Sequence, residues 1–392
     1  MTVTKKQLEN NLWKFYLTKL EVVTIAVPII TIYMLSKGLS IAEIFTLQAI
    51  FGLMLAALEL PTGAISDLVG RKKTIILSFF FYAIGLTLYG FVAATFYGFL
   101  FAEAFFAVGS ALLSGTDSAF LYDTLKKLNR VSEYKKIYSN ANAFYLLIGA
   151  AFLIIGGFLA SISLVLPLKA AAIAGIILFF IMFTLVEPPF KRSGFSKNKY
   201  INQMKKNVIF TFTHKRVRWL TIFLGITTSS GILGFWYYQP YMQVVNLDLA
   251  YFGIVFAGLN VVAAIASKFA TKIEEKIGEF FSLIIMGFLP VATLFIAGRY
   301  FATIVIGTFC FQQIGRGMQK PIVTSYINEH LDSSNRATVL SMSGLFGRLI
   351  GFIVLPTFGY LVDAWSLGQS MLFAGISFAV VFLTMFFVKP KD

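Results

Sequence analysis

The chain has 392 residues, 58% of them hydrophobic and 13% charged, with 43 phenylalanines and a formal net charge of +15. Soluble domains run at about 45–50% apolar and about 25% charged, so a soluble fold of this length could not hide so much apolar surface. Together with a mean hydropathy of +0.79, this points to a helical membrane protein, because an open sheet would leave backbone groups unsatisfied in hydrocarbon.

A span needs about 20 mostly apolar residues. In chain order, windows of that length predict twelve spans, at roughly 14–36, 42–65, 74–94, 97–121, 139–161, 166–187, 218–241, 249–269, 280–299, 302–326, 337–361 and 367–388. The polar N-terminus leads into a span too long for a signal-peptide core, so no cleavable leader is expected. With the N-terminus in the cytoplasm, nearly all lysines and arginines fall in inner connections, leaving Lys37, Lys169 and Arg299 outside. That asymmetry predicts cytoplasmic termini. It also argues against nucleic acid as a partner, since the basic residues follow membrane loops and form no continuous face.

The first span carries Glu21. After the second comes GAISDLVGRKK, with Gly63, Asp67, Gly70, Arg71 and Lys72. Its glycines permit a sharp reversal, and its charges can meet a helix end or acids on another helix. The fourth span holds Glu103 and Asp117 and runs out at Asp123; the fifth opens with Asn142 and Tyr145. Residues 188–217 form a basic cytoplasmic linker in which Ile201, Met204, Val208 and Ile209 could share one face of an amphipathic helix. The seventh span ends in GFWYYQPY, including Trp236 and Gln239, a composition that suits an interfacial aromatic belt. After the eighth, TKIEEKIGEFF places Glu275 and Gly278 at an offset of 208 from Asp67 and Gly70, which points to an internal repeat. The tenth span carries Gln312, Gln313 and Arg316, and the eleventh Arg348 beside a Gly347–Gly351 pair suited to helix packing.

The Gly63–Asp67–Gly70–Arg71–Lys72 pattern between spans two and three of a twelve-span chain resembles the signature loop of the major facilitator superfamily, and the resemblance covers essentially the whole chain. It implies an all-α integral membrane protein with twelve transmembrane helices in two pseudo-symmetric six-helix bundles, 1–187 and 218–392. It further implies that Asp67 faces the region of Arg336–Thr338, that Arg71 pairs with Asp117 or Asp123, and that helices 1, 4, 7 and 10 line a cavity. Two features of the family's drug/proton antiporters are missing. Phe105 stands where helix 4 would carry arginine, and Phe152 and Leu153 stand where helix 5 would carry glycine and proline, although Gly156 and Gly157 remain.

Ionisable groups in hydrocarbon are costly, about 2.5–3.5 kcal/mol at mid-helix on insertion scales. Glu21 and Glu103 are therefore candidates for a proton or a cationic group. Arg316 and Arg348 are candidates for an anionic one, with Gln312, Gln313, Trp236, Gln239, Asn142 and Tyr145 beside them; salt bridging is the alternative for the charged set. Asp117 and Asp123 are assigned to the cytoplasmic latch. No nucleotide-binding motif or catalytic constellation is present, His214 and His330 lack metal-ligand spacing, and neither metal nor cofactor is expected. The expected function is secondary active transport of a small solute across the inner (cytoplasmic) membrane by a monomer, with proton-coupled export of an amphiphilic compound first. Import of a zwitterionic or anionic metabolite is the alternative, and a non-transporting receptor or scaffold the third reading.

Overall fold

The computed structural model describes residues 4–189, 209–331 and 336–390. Residues 201–208, with most of the expected amphipathic face, lie outside them, as do the side chains of Gly63, Asp67 and residues 336–338. Among the described residues the protein is 88% helix with no strands, and nine helices are long and apolar enough to cross a membrane.

In chain order the helices are α1 (Lys5–Thr18), α2 (Ile30–Ser36), α3 (Ile41–Val69), α4 (Arg71–Thr87), α5 (Phe96–Leu113), α6 (Thr116–Lys127), α7 (Tyr134–Ile162) and α8 (Leu166–Met182). They continue with α9 (Lys215–Val244), α10 (Leu249–Arg299), α11 (Phe309–Glu329), α12 (Arg336–Ala364) and α13 (Leu367–Phe387). α10 is two helices meeting at Gly278, whose φ is +76°. α11 is long enough to span but is not among the nine, since it carries Gln312, Gln313, Arg316, Gln319 and Lys320.

Large apolar side chains point outward along much of the surface: Phe101, Phe158, Phe180 and Phe387 are all well exposed. In water such a surface would aggregate; in a bilayer it is the solvated face, and helices pack through small residues instead. Gly109 on α5 lies so close to the Ser78 carbonyl of α4 that an added Cβ would stand 3.0 Å from that oxygen, and the Ser78 hydroxyl donates to the Gly109 carbonyl at 2.7 Å.

The chain divides into two compact units. The first comprises Met1–Gly38, Leu53–Phe195 and Leu249–Ala257; the second comprises Leu39–Gly52, Ser196–Asp248 and Gly258–Asp392. Within the first, Gly253 of α10 meets α7 backbone to backbone, with room for a Cβ only 2.0 Å from the Leu153 carbonyl. Within the second, the Asp363 carboxylate accepts from the amides of Ile41 and Ala42, at 3.2 and 2.8 Å, and so caps the first turn of α3.

Candidate functional site

Two of the predicted spans are interrupted, and both interruptions open onto one cavity in the first unit. The first span stops at Thr18, passes through short 3₁₀ turns at Val22–Ile25 and Val27–Ile29, and resumes as α2. The cause is local. Val22, Val23, Thr24 and Ile25 are β-branched and cost side-chain freedom in a helix, and Pro28 removes an amide donor and crowds the carbonyl four residues back. Gly156 of α7 accommodates the break, because an added Cβ there would lie 1.8 Å from the Ile25 carbonyl oxygen.

The fourth span breaks at Ser114–Gly115, where Gly115 adopts φ +76° and caps α6, placing Asp117 in the first turn of the new half-helix. Discontinuous helices of this kind expose helix ends to a cavity within the membrane.

The cavity measures about 390 Å³ and is lined by residues from both breaks together with α4, α7 and α8. Glu21 is open to it, and the Tyr145 hydroxyl donates to Glu21 Oε2 at 3.2 Å. Asn142 also lines it, as do Tyr82 and Ser110, whose hydroxyls bond each other at 2.8 Å. Lys19 and Asp117 form an ion pair at its edge, with side chains only 15% and 11% exposed. Leu20, Val22, Val23, Leu86 and Phe79 make the rest of the wall apolar.

Glu21, Asn142 and Tyr145 are thus brought together, with Asp117 at the same cavity, while the other expected residues lie elsewhere. Glu103 is buried within the first unit and accepts from the Tyr89 hydroxyl. Asp117, expected in the cytoplasmic latch, instead holds Lys19 and lines the cavity.

In the second unit Arg316 lines a smaller pocket of about 240 Å³ with Phe235, Trp236 and Gln319, and donates to Asn260 Oδ1 at 2.8 Å. Gln312 and Gln313 are buried in a network with Tyr238. Gln312 Nε2 donates to the Ser230 and Gly231 carbonyls at 3.2 and 3.0 Å, and Gln313 Nε2 donates to the Tyr238 hydroxyl at 3.1 Å. The aromatic cluster expected at an interfacial belt lies instead in the core of this unit. Tyr237, Tyr238 and Tyr241 are fully buried, because each hydroxyl finds a partner within the unit, and Gln239 is buried beside them. Arg348 is half-buried on α12, where Gly347 packs on α9 and its carbonyl accepts from Ser229 Oγ at 3.0 Å.

At the charged turn, Gly70 has φ +110° and starts α4. Arg71 Nε donates to Asp123 Oδ2 at 3.2 Å, which decides between the two acids, and Arg71 Nη1 donates to Ser66 Oγ at 2.8 Å. The Glu187 carboxylate caps α4, accepting from the amides of Arg71 and Lys72 at 2.7 and 2.9 Å. Asn11 holds that segment in place with a pair of bonds to the Val186 backbone, at 2.8 and 3.0 Å. At the second turn Gly278 has φ +76°, Glu275 is exposed, and Glu279 pairs with Arg216 and with Lys389, the latter at 2.8 Å.

Lys19, Tyr82, Ser110 and Glu187 carry no motif that sequence reasoning could use. The Ser114–Gly115–Thr116–Asp117 run is a readable helix stop and restart, and it would have moved Asp117 to the cavity.

An all-helical chain with outward apolar faces and a polar cavity at two broken helices is a multi-pass membrane transporter in its architecture. The chain belongs to the Major Facilitator Superfamily, whose family model matches residues 22–354; this is a family of transporters, not of enzymes. An uncharacterised MFS-type transporter of Methanocaldococcus jannaschii is 25% identical over 389 residues, spanning 96% of this chain and 97% of that protein. Among solved structures, a mutant of the nucleoside transporter NupG superposes with a TM-score of 0.80 at 13% identity, covering 97% of this chain and 99% of that one. A bacterial homologue of the human lysosomal transporter Spinster, inward-facing and unoccupied, also gives 0.80, at 16% identity, covering 99% and 98%. At these identities the likeness is one of fold.

Proposed function

We propose that the protein is a secondary active transporter that exports a small cationic amphiphile across the cytoplasmic membrane in exchange for protons. It would act as a monomer of twelve membrane helices with both termini inside, by alternating access between two six-helix halves, 1–187 and 218–392. The observation that carries this reading is Glu21. A carboxylate held within a membrane span costs free energy, yet this one faces a cavity of about 390 Å³ with apolar and aromatic walls. Such a group takes either a proton or a cation, and exclusive occupancy is the physical requirement for exchanging one against the other.

The test is exchange driven by an imposed pH gradient in proteoliposomes, using a lipophilic monocation such as tetraphenylphosphonium. Glu21→Gln should abolish gradient-driven flux and weaken binding of the cation at least about tenfold, as loss of a facing charge in a low-dielectric site requires. Full gradient-driven transport by Glu21→Gln would refute the assignment.

A second reading is favoured by one observation, the Arg316 pocket with Phe235 and Trp236. An arginine there suits a carboxylate or phosphate, and so import of a zwitterionic or anionic metabolite. Unchanged affinity for anionic solutes in Arg316→Ala would remove this reading.

A further inference from the structure

The cavity of the first unit contains a cation of its own. Lys19 is the C-cap of α1, and its ammonium is bonded to Asp117 Oδ2 while lying 4.6 Å from the ring centre of Tyr138 and 5.4 Å from that of Phe15. A carboxylate and two aromatic faces are the elements from which cation sites are built. The pair is also favoured by the helix ends that carry it. Lys19 stands at the negative end of α1 and Asp117 in the first turn of α6, the positive end of that half-helix.

Two residues further on, Glu21 faces the same space with only a tyrosine hydroxyl bonded to it, and it forms no ion pair among the described residues. Among the described residues the lining therefore holds two carboxylates and one ammonium, a net of one negative charge.

We propose that Lys19 is a resident counter-cation that sets the charge selectivity of this cavity. By occupying Asp117 it leaves Glu21 as the one anionic position open to a substrate, so the cavity accepts a single positive charge and rejects two. Lys19 is a positioning residue in this scheme. It acts through Asp117 and the net charge of the cavity and makes no contact with the cargo. The inference rests on the cation-binding reading of Glu21 and adds to it a rule for which cations bind.

The rule is open to a charge-counting experiment on the full-length protein in detergent, with binding of tetraphenylphosphonium (one charge) and methyl viologen (two charges) measured by calorimetry. Wild type should bind the first and exclude the second. Lys19→Met frees Asp117, and methyl viologen affinity should rise at least about tenfold, the scale of an added unit charge a few ångströms away at intermediate dielectric. Lys19→Arg keeps the charge and should keep wild-type selectivity. Lys19→Met combined with Asp117→Asn returns the cavity to one net negative charge, and should restore preference for the monocation even if Lys19→Met alone folds poorly.

A purely structural role for Lys19 predicts the opposite pattern, with binding of both probes lost in step with thermal stability and no recovery of selectivity in the double variant. If wild type binds tetraphenylphosphonium through Glu21 but neither Lys19→Met nor the double variant shifts the ratio of the two affinities, the Lys19 proposal is overturned and the Glu21 reading stands. If neither wild type nor any variant binds either cation, the cation-site reading falls and takes this proposal with it.

Discussion

The two halves of the sequence repeat one another in geometry and differ in two respects, the sign of their charges and the continuity of their helices. Gly70 and Gly278, 208 positions apart, both adopt positive φ. Four residues on, Thr74 Oγ1 and Ser282 Oγ donate back to those glycines' carbonyls at 2.8 and 2.9 Å. The close approach of Gly109 to the Ser78 carbonyl recurs as Gly315 against Met286, where a Cβ would stand 3.2 Å from the oxygen, and that of Gly90 to Leu168 recurs as Gly298 against Gly368. The charges are reversed. Arg71 meets acids, Asp123 by its side chain and Glu187 at the helix cap, whereas Glu279 meets the bases Arg216 and Lys389. Pairing is what the turn requires, and the sign is free.

The second difference bears on function. The first and fourth spans are broken, while α9 and α11, which occupy the corresponding places in the second half, run without interruption. The larger polar cavity lies at the breaks. Backbone that cannot pair in a helix is tolerated at membrane depth only where it is buried in protein or lines a wet space, so the interrupted half is where a solute site is expected.

The largest effect should come from closing a break. Gly156→Val places side-chain atoms where the Ile25 carbonyl already stands. The cost should be about 3 kcal/mol or more, the upper end for overpacking, read as a large fall in the thermal midpoint in detergent together with loss of solute binding. A variant that stays within a few degrees of wild type would show that the break does not depend on this contact.

Next is the reversed network. Glu279→Ala removes the carboxylate shared by Arg216, whose side chain is only 8% exposed, and Lys389. Removing one partner of a buried pair costs about 3–5 kcal/mol; with Glu279 itself 24% exposed, the low end is expected. An unchanged midpoint would deny the network its role in the turn. Smaller again are Gly109→Val and Gly315→Val, each costing about 1–3 kcal/mol by overpacking against a carbonyl. Similar losses in the two would support the repeat, and a large loss in one alone would confine the close approach to a single half.

Much of this was legible in the residues, and what was hidden has physical reasons. Membrane class follows from composition, and the turn from Gly70, Arg71 and the matching Gly278. The breaks are written locally, in the β-branched run before Pro28 and in Ser114–Gly115–Thr116–Asp117, but a window of about 20 residues averages over them. Pairings across space left no local trace: Lys19 and Asp117 are 98 residues apart, and Glu187 is 116 from the amide of Arg71. The belt reading of Tyr237, Tyr238 and Tyr241 failed because aromatic composition is the same at an interface and in a core. Partners such as Ser370 and Gln312 for their hydroxyls decide between the two, and those lie on other helices.

The smallest expected effect concerns the cap of α4. Burial pushes the Glu187 carboxyl above its ordinary value, and the amides of Arg71, Lys72 and Lys73, which favour the charged form, only partly offset it. A raised value in the folded state means that folding holds the proton more tightly than the unfolded chain does. The group therefore favours the fold at low pH, and that contribution is lost as pH rises from the ordinary carboxylate range through the raised value. Glu187→Gln keeps an acceptor for the helix amides and removes the titration. Its midpoint relative to wild type should then climb as pH rises through that window, by an amount worth about 1 kcal/mol or less, the scale of a single cap. A difference that stays flat with pH, or falls, would mean that the carboxylate is stabilised as an anion by the turn. The acid at this turn would then be held as firmly as Glu279 is held by Arg216 and Lys389, and the contrast between the two turns would reduce to sign alone.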